Sequence, residues 1–277
     1  MIRDITLGQY YPGNSWVHKL DPRVKIICTF VYIISLFMIK DYLGFLIAMT
    51  ALGLTIGVSR VPLKFILKGL KPIFLIIVFT FTINMVMTKG TTLLEIGFIT
   101  ITEEGLYNAV FMGTRLILLI IGSSLLTLTT KPINLTDGIE KLLSPWKKIG
   151  LPAHELAMMM TIALRFIPTL LEETDKIMKA QMARGADFES GNIMNRAKSL
   201  IPLLVPLFIS AFRIAQDLAM AMEARCYRGG DDRTRMTAMK LSSKDGVAGV
   251  LVILYLGLII AEAQGLFYVL LELSGRV

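Results

Sequence analysis

Residues 24–58 read VKIICTFVYIISLFMIKDYLGFLIAMTALGLTIGV and decide the fold class of this chain. Apart from Lys25, they form two apolar runs that are separated only by Lys40 and Asp41. A helix needs about 20 mostly apolar residues to cross a lipid bilayer. Two such runs joined by a tight polar turn therefore predict a transmembrane helical hairpin.

The composition of the whole chain agrees with a membrane protein. Hydrophobic residues make up 54% of the 277 residues and charged residues 18%, whereas soluble domains carry about a quarter charged residues. The net charge of +8 does not indicate nucleic-acid binding, because the basic residues flank apolar blocks and form no stripe interleaved with aromatic residues. Cys28 and Cys226 are too few for a disulfide framework, and neither has a second ligand at metal-binding spacing.

Three further apolar segments extend the prediction to five transmembrane helices. The five spans cover residues 24–39, 42–58, 72–88, 105–130 and 246–271. The first four place an N-terminal membrane bundle in residues 1–130. The fifth is a C-terminal transmembrane helix within residues 246–277.

The charged middle part of the chain, residues 131–245, is predicted to be a cytoplasmic domain. Apolar periodicity within it predicts two long amphipathic helices, at about 153–184 and 199–225. Apolar runs in both helices leave open that they enter the membrane, which would raise the span count from five to as many as seven. The predicted fold class is all-α: a polytopic membrane bundle of about five spans, with a cytoplasmic pair of long crossing amphipathic helices.

Basic residues in the short loops predict the orientation of the chain, because Lys and Arg are enriched in cytoplasmic loops. The loop between the second and third spans contains only basic charges, at Arg60, Lys64, Lys68 and Lys71. The next loop is mainly acidic, with charges at Lys89, Glu95, Glu103 and Glu104. We therefore expect a multi-pass protein of the cell (plasma) membrane with a cytoplasmic N-terminus and an external C-terminus.

Two charged residues, Arg115 and Glu262, interrupt predicted spans. A charge inside a bilayer costs several kcal/mol and normally faces protein or water. The two side chains are therefore candidates for intramembrane polar contacts at a subunit or substrate interface. An intramolecular ion pair, or an extended side chain that reaches toward a helix end, satisfies the same demand.

The sequence contains no motif of a catalytic, cofactor or metal site. It lacks the G-x-x-x-x-G-K-[ST] phosphate loop, and neither H-E-x-x-H nor G-x-S-x-G occurs. His18 and His154 are far apart, and neither has a second histidine four positions away. We therefore expect a chain that is not an enzyme and that binds no cofactor and no metal.

The two long predicted helices end in the same way. The first ends with AQMARG, residues 180–185, and the second with AMEARC, residues 221–226. Arginine is favourable in any last helical turn because it complements the helix dipole, but this does not account for Ala-Arg at both ends. Matched arginine tips favour insertion into two similar grooves on partner proteins.

A stripe of small residues lies on the second long helix, at Ala211, Ala215 and Ala219. Their spacing lets another helix backbone approach closely. We predict this stripe to be a helix-crossing interface, and packing within an ordinary helical hairpin would produce the same pattern.

The helix tips, together with the segment YPGNSWVHKLDPRVK at residues 11–25, resemble the transmembrane (T) component of energy-coupling factor (ECF) transporters, a branch of the ABC transporters. The segment is similar to the opening of that family before its first span. The tips are similar to its two X-R-X motifs. With the hydropathy pattern, the resemblance covers essentially the whole chain.

The resemblance implies a scaffold that couples two ABC-type ATPase subunits to a membrane-embedded substrate-binding (S) subunit, either one dedicated chain or several interchangeable ones. Such complexes import vitamins or transition-metal ions. The coupling motifs carried over are Ala183, Arg184 and Gly185, and Ala224, Arg225 and Cys226. The second motif often ends in glycine in the family, and Cys226 takes that place here.

The alternative function is a stand-alone secondary transporter or channel. That class is typically built from two matched halves with broken helices and charges near the bilayer midplane. Here four predicted spans precede the charged middle part and one follows it, so matched halves are absent. A membrane-bound enzyme would need a polar cluster that the sequence does not contain.

Overall fold

The computed structural model describes residues 10–96, 99–149, 152–186, 188, 194, 198–229 and 241–265. Over these residues the fold is helical, as predicted. The described helices are α1 (Pro22–Met38), α2 (Tyr42–Ser59), α3 (Leu63–Leu70), α4 (Phe74–Met87), α5 (Glu103–Thr129), α6 (Pro132–Leu143), α7 (Ala153–Ala183), α8 (Ile201–Ala224) and α9 (Ser243–Ala263). Short 3-10 turns, Lys71–Ile73 and Ser144–Ile149, follow α3 and α6.

Helices α3 and α6 and one pair of strands were not predicted from the sequence. Strands β1 (Thr92–Ile96) and β2 (Ile99–Thr102) pair antiparallel between α4 and α5. The prediction located a polar loop here but assigned it no structure. A two-stranded hairpin of this length leaves the fold class unchanged.

Six helical stretches among the described residues are long and apolar enough to cross a membrane. They are Tyr42–Ser59, Leu63–Met87, Glu103–Thr129, Ala153–Ala183, Ile201–Ala224 and Ser243–Ala263. The set includes both long helices α7 and α8, within the range of five to seven that the sequence allowed. It leaves out α1, the short first span, which has 17 residues. The basic loop after α2 is itself helical, because α3 and α4 run on through the turn at Lys71–Ile73.

The predicted helix boundaries differ from the observed ones mainly at the C-terminus. The last helix covers Ser243–Ala263 in place of the expected 246–271. Gly265 adopts a φ of +72° directly after it, a conformation that ends helices. Residues 266–271 of the predicted span lie outside the described residues.

The chain divides into two compact units. Among the described residues, the bundle unit comprises those within 10–138 and 241–265, and the α7–α8 unit comprises those within 139–229. The division of the chain by position relative to the membrane stays a prediction.

The core of the bundle unit lies between α1, α2, α5 and α9. Its buried side chains are Leu36, Ile39, Phe45, Ala48, Leu52, Phe111, Leu118, Leu125 and Ile259. By contrast, α4 buries none of its residues and exposes Phe74 and Leu75 by 64% and 76%. Apolar surface of this extent is typical of a helix that lies against lipid or a partner.

Candidate functional site

The tip of α7 ends in a Schellman motif. Gly185 N–H donates to the Met182 carbonyl and Ala186 N–H to the Gln181 carbonyl, both at 3.0 Å. This is the double bond pattern of that motif. Gly185 supplies the required positive φ, at +88°. The motif fixes Arg184 as the last residue before the chain turns away.

The tip of α8 repeats the motif. Cys226 N–H donates to the Glu223 carbonyl at 2.9 Å, and Tyr227 N–H donates to the Met222 carbonyl at 3.1 Å. Cys226 adopts a φ of +55°, which costs a residue with a side chain about 1–2 kcal/mol relative to glycine. The helix therefore stops at the same place without glycine, and Arg225 holds the position that Arg184 holds on α7.

Both tip arginines are exposed. The alanines before them, Ala183 and Ala224, are exposed as well. Neither arginine side chain forms an ion pair or hydrogen bond with any residue that the structure describes. Each tip thus presents an unpaired guanidinium beside a small side chain, an arrangement that can enter a narrow groove.

Helices α7 and α8 run antiparallel. Gln181, near the end of α7, donates a 3.4 Å hydrogen bond from Nε2 to the carbonyl of Pro202, near the start of α8. The end of α7 therefore lies beside the beginning of α8. Since α8 has 24 residues and a helix rises about 1.5 Å per residue, the two tips are roughly 36 Å apart.

An apolar groove of about 280 Å³ lies between the two helices. The small residues Ala211, Ala215 and Ala219 line it from α8. The residues that line it from α7 are Ile162, Phe166 and Leu170, which the sequence pattern did not single out. The groove shows that this pair is not packed to full density along its length.

The first half of α8 presents an exposed apolar surface. Its side chains are Leu204, Val205, Phe208, Ile209 and Phe212, each exposed by 45–67%. A contiguous surface of this kind on one helix is typical of a site covered by lipid or by another membrane protein.

Arg115 contacts the end of α1 within the bundle unit. Its Nη2 donates to the carbonyl of Ile39 at 3.0 Å, and Ile39 is the residue that ends α1. The guanidinium also lies over the rings of Phe37, Phe45 and Phe111, 5.0–6.0 Å from their centroids. The positive charge therefore complements the negative end of the α1 dipole and is screened by aromatic faces.

Glu262 lies at the other side of the same turn. Its carboxylate packs against Gly44 and faces the backbone N–H groups of Asp41 and Gly44, although no hydrogen bond of good geometry forms. These residues begin α2, so the carboxyl group faces the positive end of that helix dipole. No ion pair joins Glu262 to Arg115. The two side chains instead lie on opposite sides of the α1–α2 turn.

A buried polar network lies at the opposite end of the bundle unit. Lys25, which is 6% exposed, donates from Nζ to the carbonyls of His18 and Thr129 at 3.1 and 3.0 Å and to Thr130 Oγ1 at 3.4 Å. Thr129 is the last residue of α5. A cation therefore satisfies the free carbonyl at that helix end and ties the N-terminal segment to it.

His18 is held by two hydrogen bonds of its ring within this segment. Its Nδ1 lies 2.7 Å from Ser15 Oγ and its Nε2 lies 3.1 Å from the carbonyl of Tyr11. A carbonyl only accepts, so Nε2 carries a proton and donates it to Tyr11, whereas the serine hydroxyl can donate to Nδ1 or accept from it. Burial lowers the pKa of His18 below its ordinary value.

Two aspartates complete the network. Asp245 Oδ1 accepts from Asp21 N–H at 2.7 Å, and its Oδ2 accepts from Ser242 N–H at 2.7 Å as part of a capping box on α9. Burial alone would raise the pKa of Asp21, but its hydrogen bonds and ion pair with Arg23 hold that pKa below its ordinary value. Sequence reasoning missed these roles, although Asp-Pro before the first span and Ser-x-x-Asp before the last are recognisable helix starts.

Among the described residues, no group of three or more His, Cys, Asp or Glu side chains could hold a metal ion. His154 pairs with Glu140 at 3.1 Å. The candidate functional features of the described residues are the two arginine tips and the polar contacts at helix ends.

Comparison with known proteins identifies the family of the chain. Residues 13–236 match the family model CbiQ, described as a cobalt transport protein. The chain is 60% identical over 252 residues to the energy-coupling factor transporter transmembrane protein EcfT of Clostridium kluyveri, covering 90% of this chain and 93% of the relative. The chain belongs to this EcfT family.

Other EcfT proteins are similarly close. The protein of Thermosediminibacter oceani is 61% identical over 244 residues (88% of this chain, 92% of the relative), and that of Bacillus subtilis is 50% identical over 247 residues (88% and 93%). As an EcfT protein, the chain is a multi-pass transmembrane component of an ECF transporter complex. The relatives' names describe a transporter's transmembrane component, which fits a non-catalytic subunit.

Proposed function

We propose that the chain couples ATP hydrolysis by two cytoplasmic ATPase subunits to a substrate-binding subunit in the membrane, for the uptake of vitamins or other micronutrients. The observation that carries this proposal is the pair of matched tips on α7 and α8. Each has the same Schellman geometry and an exposed arginine.

The separation of the tips favours two binding grooves over one. The length of α8 places the tips about 36 Å apart. At this separation each tip can bind a groove on a different ATPase. Arginine presents a planar, permanently charged fork that pairs with carboxylates in two parallel hydrogen bonds. When ATP draws the two ATPases together, both tips move with them, and the antiparallel helices carry that motion along their length.

The exposed apolar surface of α8, from Leu204 to Phe212, is suited to a membrane-embedded substrate-binding subunit. The substrate is then chosen by that other subunit. The rival proposal, a stand-alone secondary transporter, requires a substrate path within this chain and no ATPase.

Purification of the tagged chain from native membranes in mild detergent tests the proposal. Mass spectrometry should identify two ATPase subunits, identical or different, and a small membrane protein in the same peak. The chain purified alone should not hydrolyse ATP. Substrate uptake by liposomes that contain only this chain would support the secondary transporter and overturn the coupling function.

We also propose an orientation in which the N-terminus is cytoplasmic and the α7–α8 pair lies at the cytoplasmic surface of the membrane. Three exposed lysines report on it: Lys19 before α1, Lys89 after α4 and Lys179 on α7. In a Cys28→Ser, Cys226→Gly background, Lys89→Cys should react with an impermeant maleimide on intact cells. Lys19→Cys and Lys179→Cys should react only after permeabilisation. External labelling of Lys179→Cys would place the tips on the wrong side of the membrane for cytoplasmic ATPases.

A further inference from the structure

In addition to the groove between α7 and α8, a cavity of about 320 Å³ lies in the bundle unit, between α1, α2, α5 and α9. Its walls are mainly apolar and include Leu52, Leu125 and Ala248, with Trp16 of the N-terminal segment beside them. An unfilled apolar cavity destabilises the helices around it, and such a space binds apolar ligands in preference to water. We therefore expect an apolar group to bind in the cavity.

The cavity opens sideways between α2 and α9. Leu54 and Leu251, which line it from these two helices, are exposed by 72% and 54%. At the other end of the same two helices, Glu262 packs against Gly44 and holds them together. The cavity lies toward the end of α2 and the start of α9, away from that contact. Because both have the length and composition of membrane spans, the opening faces bilayer hydrocarbon.

Polar groups inside the cavity do not provide a site for a charged head group. Lys25 is the cation that lines it among the described residues, and its three acceptors already satisfy the ammonium. An amphiphile would therefore place its tail in the cavity and its head outside.

Basic side chains lie at the end of the bundle unit that is nearest to the cavity. Arg60 follows α2 directly, and Lys244 lies in the first turn of α9, both of them exposed. Lys64 on α3 adds a third exposed charge close to Arg60 in sequence. Basic residues at a membrane surface attract anionic lipid head groups.

We propose that this cavity binds one acyl chain of an anionic phospholipid, whose phosphate is held at the level of Arg60 and Lys244. No residue of either tip lines this site. Its occupant fills the space between α2 and α9 that the side chains of the bundle leave open.

Two matched substitutions on α2 test the position of the lipid. Thr55 lines the cavity and Thr50 does not, yet both are exposed and both hydroxyls donate to a carbonyl of their own helix. The purified transporter complex should retain about one anionic phospholipid per chain in the wild type and in Thr50→Trp. Thr55→Trp should lose it, as measured by mass spectrometry of extracted lipids. Equal retention in Thr55→Trp and Thr50→Trp would overturn the proposal.

A second measurement leaves the cavity intact. The sequence has two tryptophans, so in a Trp146→Phe chain Trp16 is the only source of tryptophan fluorescence. In vesicles of phosphatidylcholine with one-fifth phosphatidylglycerol, brominated chains on the anionic lipid should quench Trp16 at a several-fold lower mole fraction than brominated chains on the zwitterionic lipid.

Arg60→Gln with Lys244→Gln should remove that preference, whereas Lys40→Gln with Lys89→Gln should retain it. Equal quenching by both lipids in the parent chain would exclude an anionic lipid site. Loss of a partner subunit from Thr55→Trp, with its lipid retained, would assign the cavity to a partner helix and likewise overturn the proposal.

Discussion

Replacing both Arg184 and Arg225 by alanine is expected to abolish substrate uptake and the retention of ATPases by the purified chain. Loss of one member of a buried, hydrogen-bonded charge pair costs about 2–5 kcal/mol, much of it from the stranded partner charge. Each single substitution should therefore weaken ATPase association by about 30-fold or more. The double variant should leave neither tip anchored. A solvent-exposed arginine that only complements a helix dipole contributes about 0.3–1 kcal/mol.

The Schellman geometry supplies controls that separate the arginine from the helix end. Gly185→Ala strains the α7 tip, because alanine disfavours a φ of +88°. Cys226→Gly relaxes the α8 tip, because glycine adopts positive φ freely. If the arginines bind ATPase grooves, Cys226→Gly should keep full substrate uptake. Gly185→Ala should reduce uptake much less than Arg184→Ala does.

Charge reversal provides a further contrast. Glutamate at both tips should reduce uptake and ATPase retention more than alanine does, because acidic grooves would repel the new negative charges. Membrane insertion of every variant is checked by the yield of the folded chain on size exclusion. Normal uptake and normal ATPase retention by the double alanine variant would mean that the tips are helix caps and nothing more.

Lys25→Met is expected to destabilise the bundle unit by about 3–5 kcal/mol, since it strands three buried acceptors and removes the cation that faces Asp21 and Asp245. At about 2–4 °C per kcal/mol for chains of 150–250 residues, the melting temperature should fall by about 10 °C. Thermal unfolding in detergent, followed by size exclusion with fluorescence detection, measures the change.

Lys19→Met is the matched control for this substitution. Lys19 lies in the same N-terminal segment and is exposed, so its loss should shift the melting temperature by less than about 2 °C, in line with surface substitutions generally. Similar shifts in the two variants would show that the polar network around Lys25 contributes little to stability.

Local sequence signals determined the helices and the two tips. Apolar runs alone predicted the helical hairpin of α1 and α2, and periodicity predicted α7 and α8 to within two residues at each end. These features depend on residues within one or two turns of each other, so a single sequence contains them. The substitution of Cys226 for glycine was visible in the sequence, but its positive φ became clear only from the hydrogen bonds around it.

Tertiary structure decided what the charged residues do. From the sequence, Arg115 and Glu262 could lie at an interface, form an ion pair or extend toward a helix end. The fold places them at the two helix ends of the α1–α2 turn. In the sequence Lys25 is only an exception within the first apolar run, yet its partner at Thr129 is 104 positions away. Contacts between residues so far apart depend on which helices pack together. Hydropathy shows that each helix can enter a membrane, but it contains no information about its neighbours.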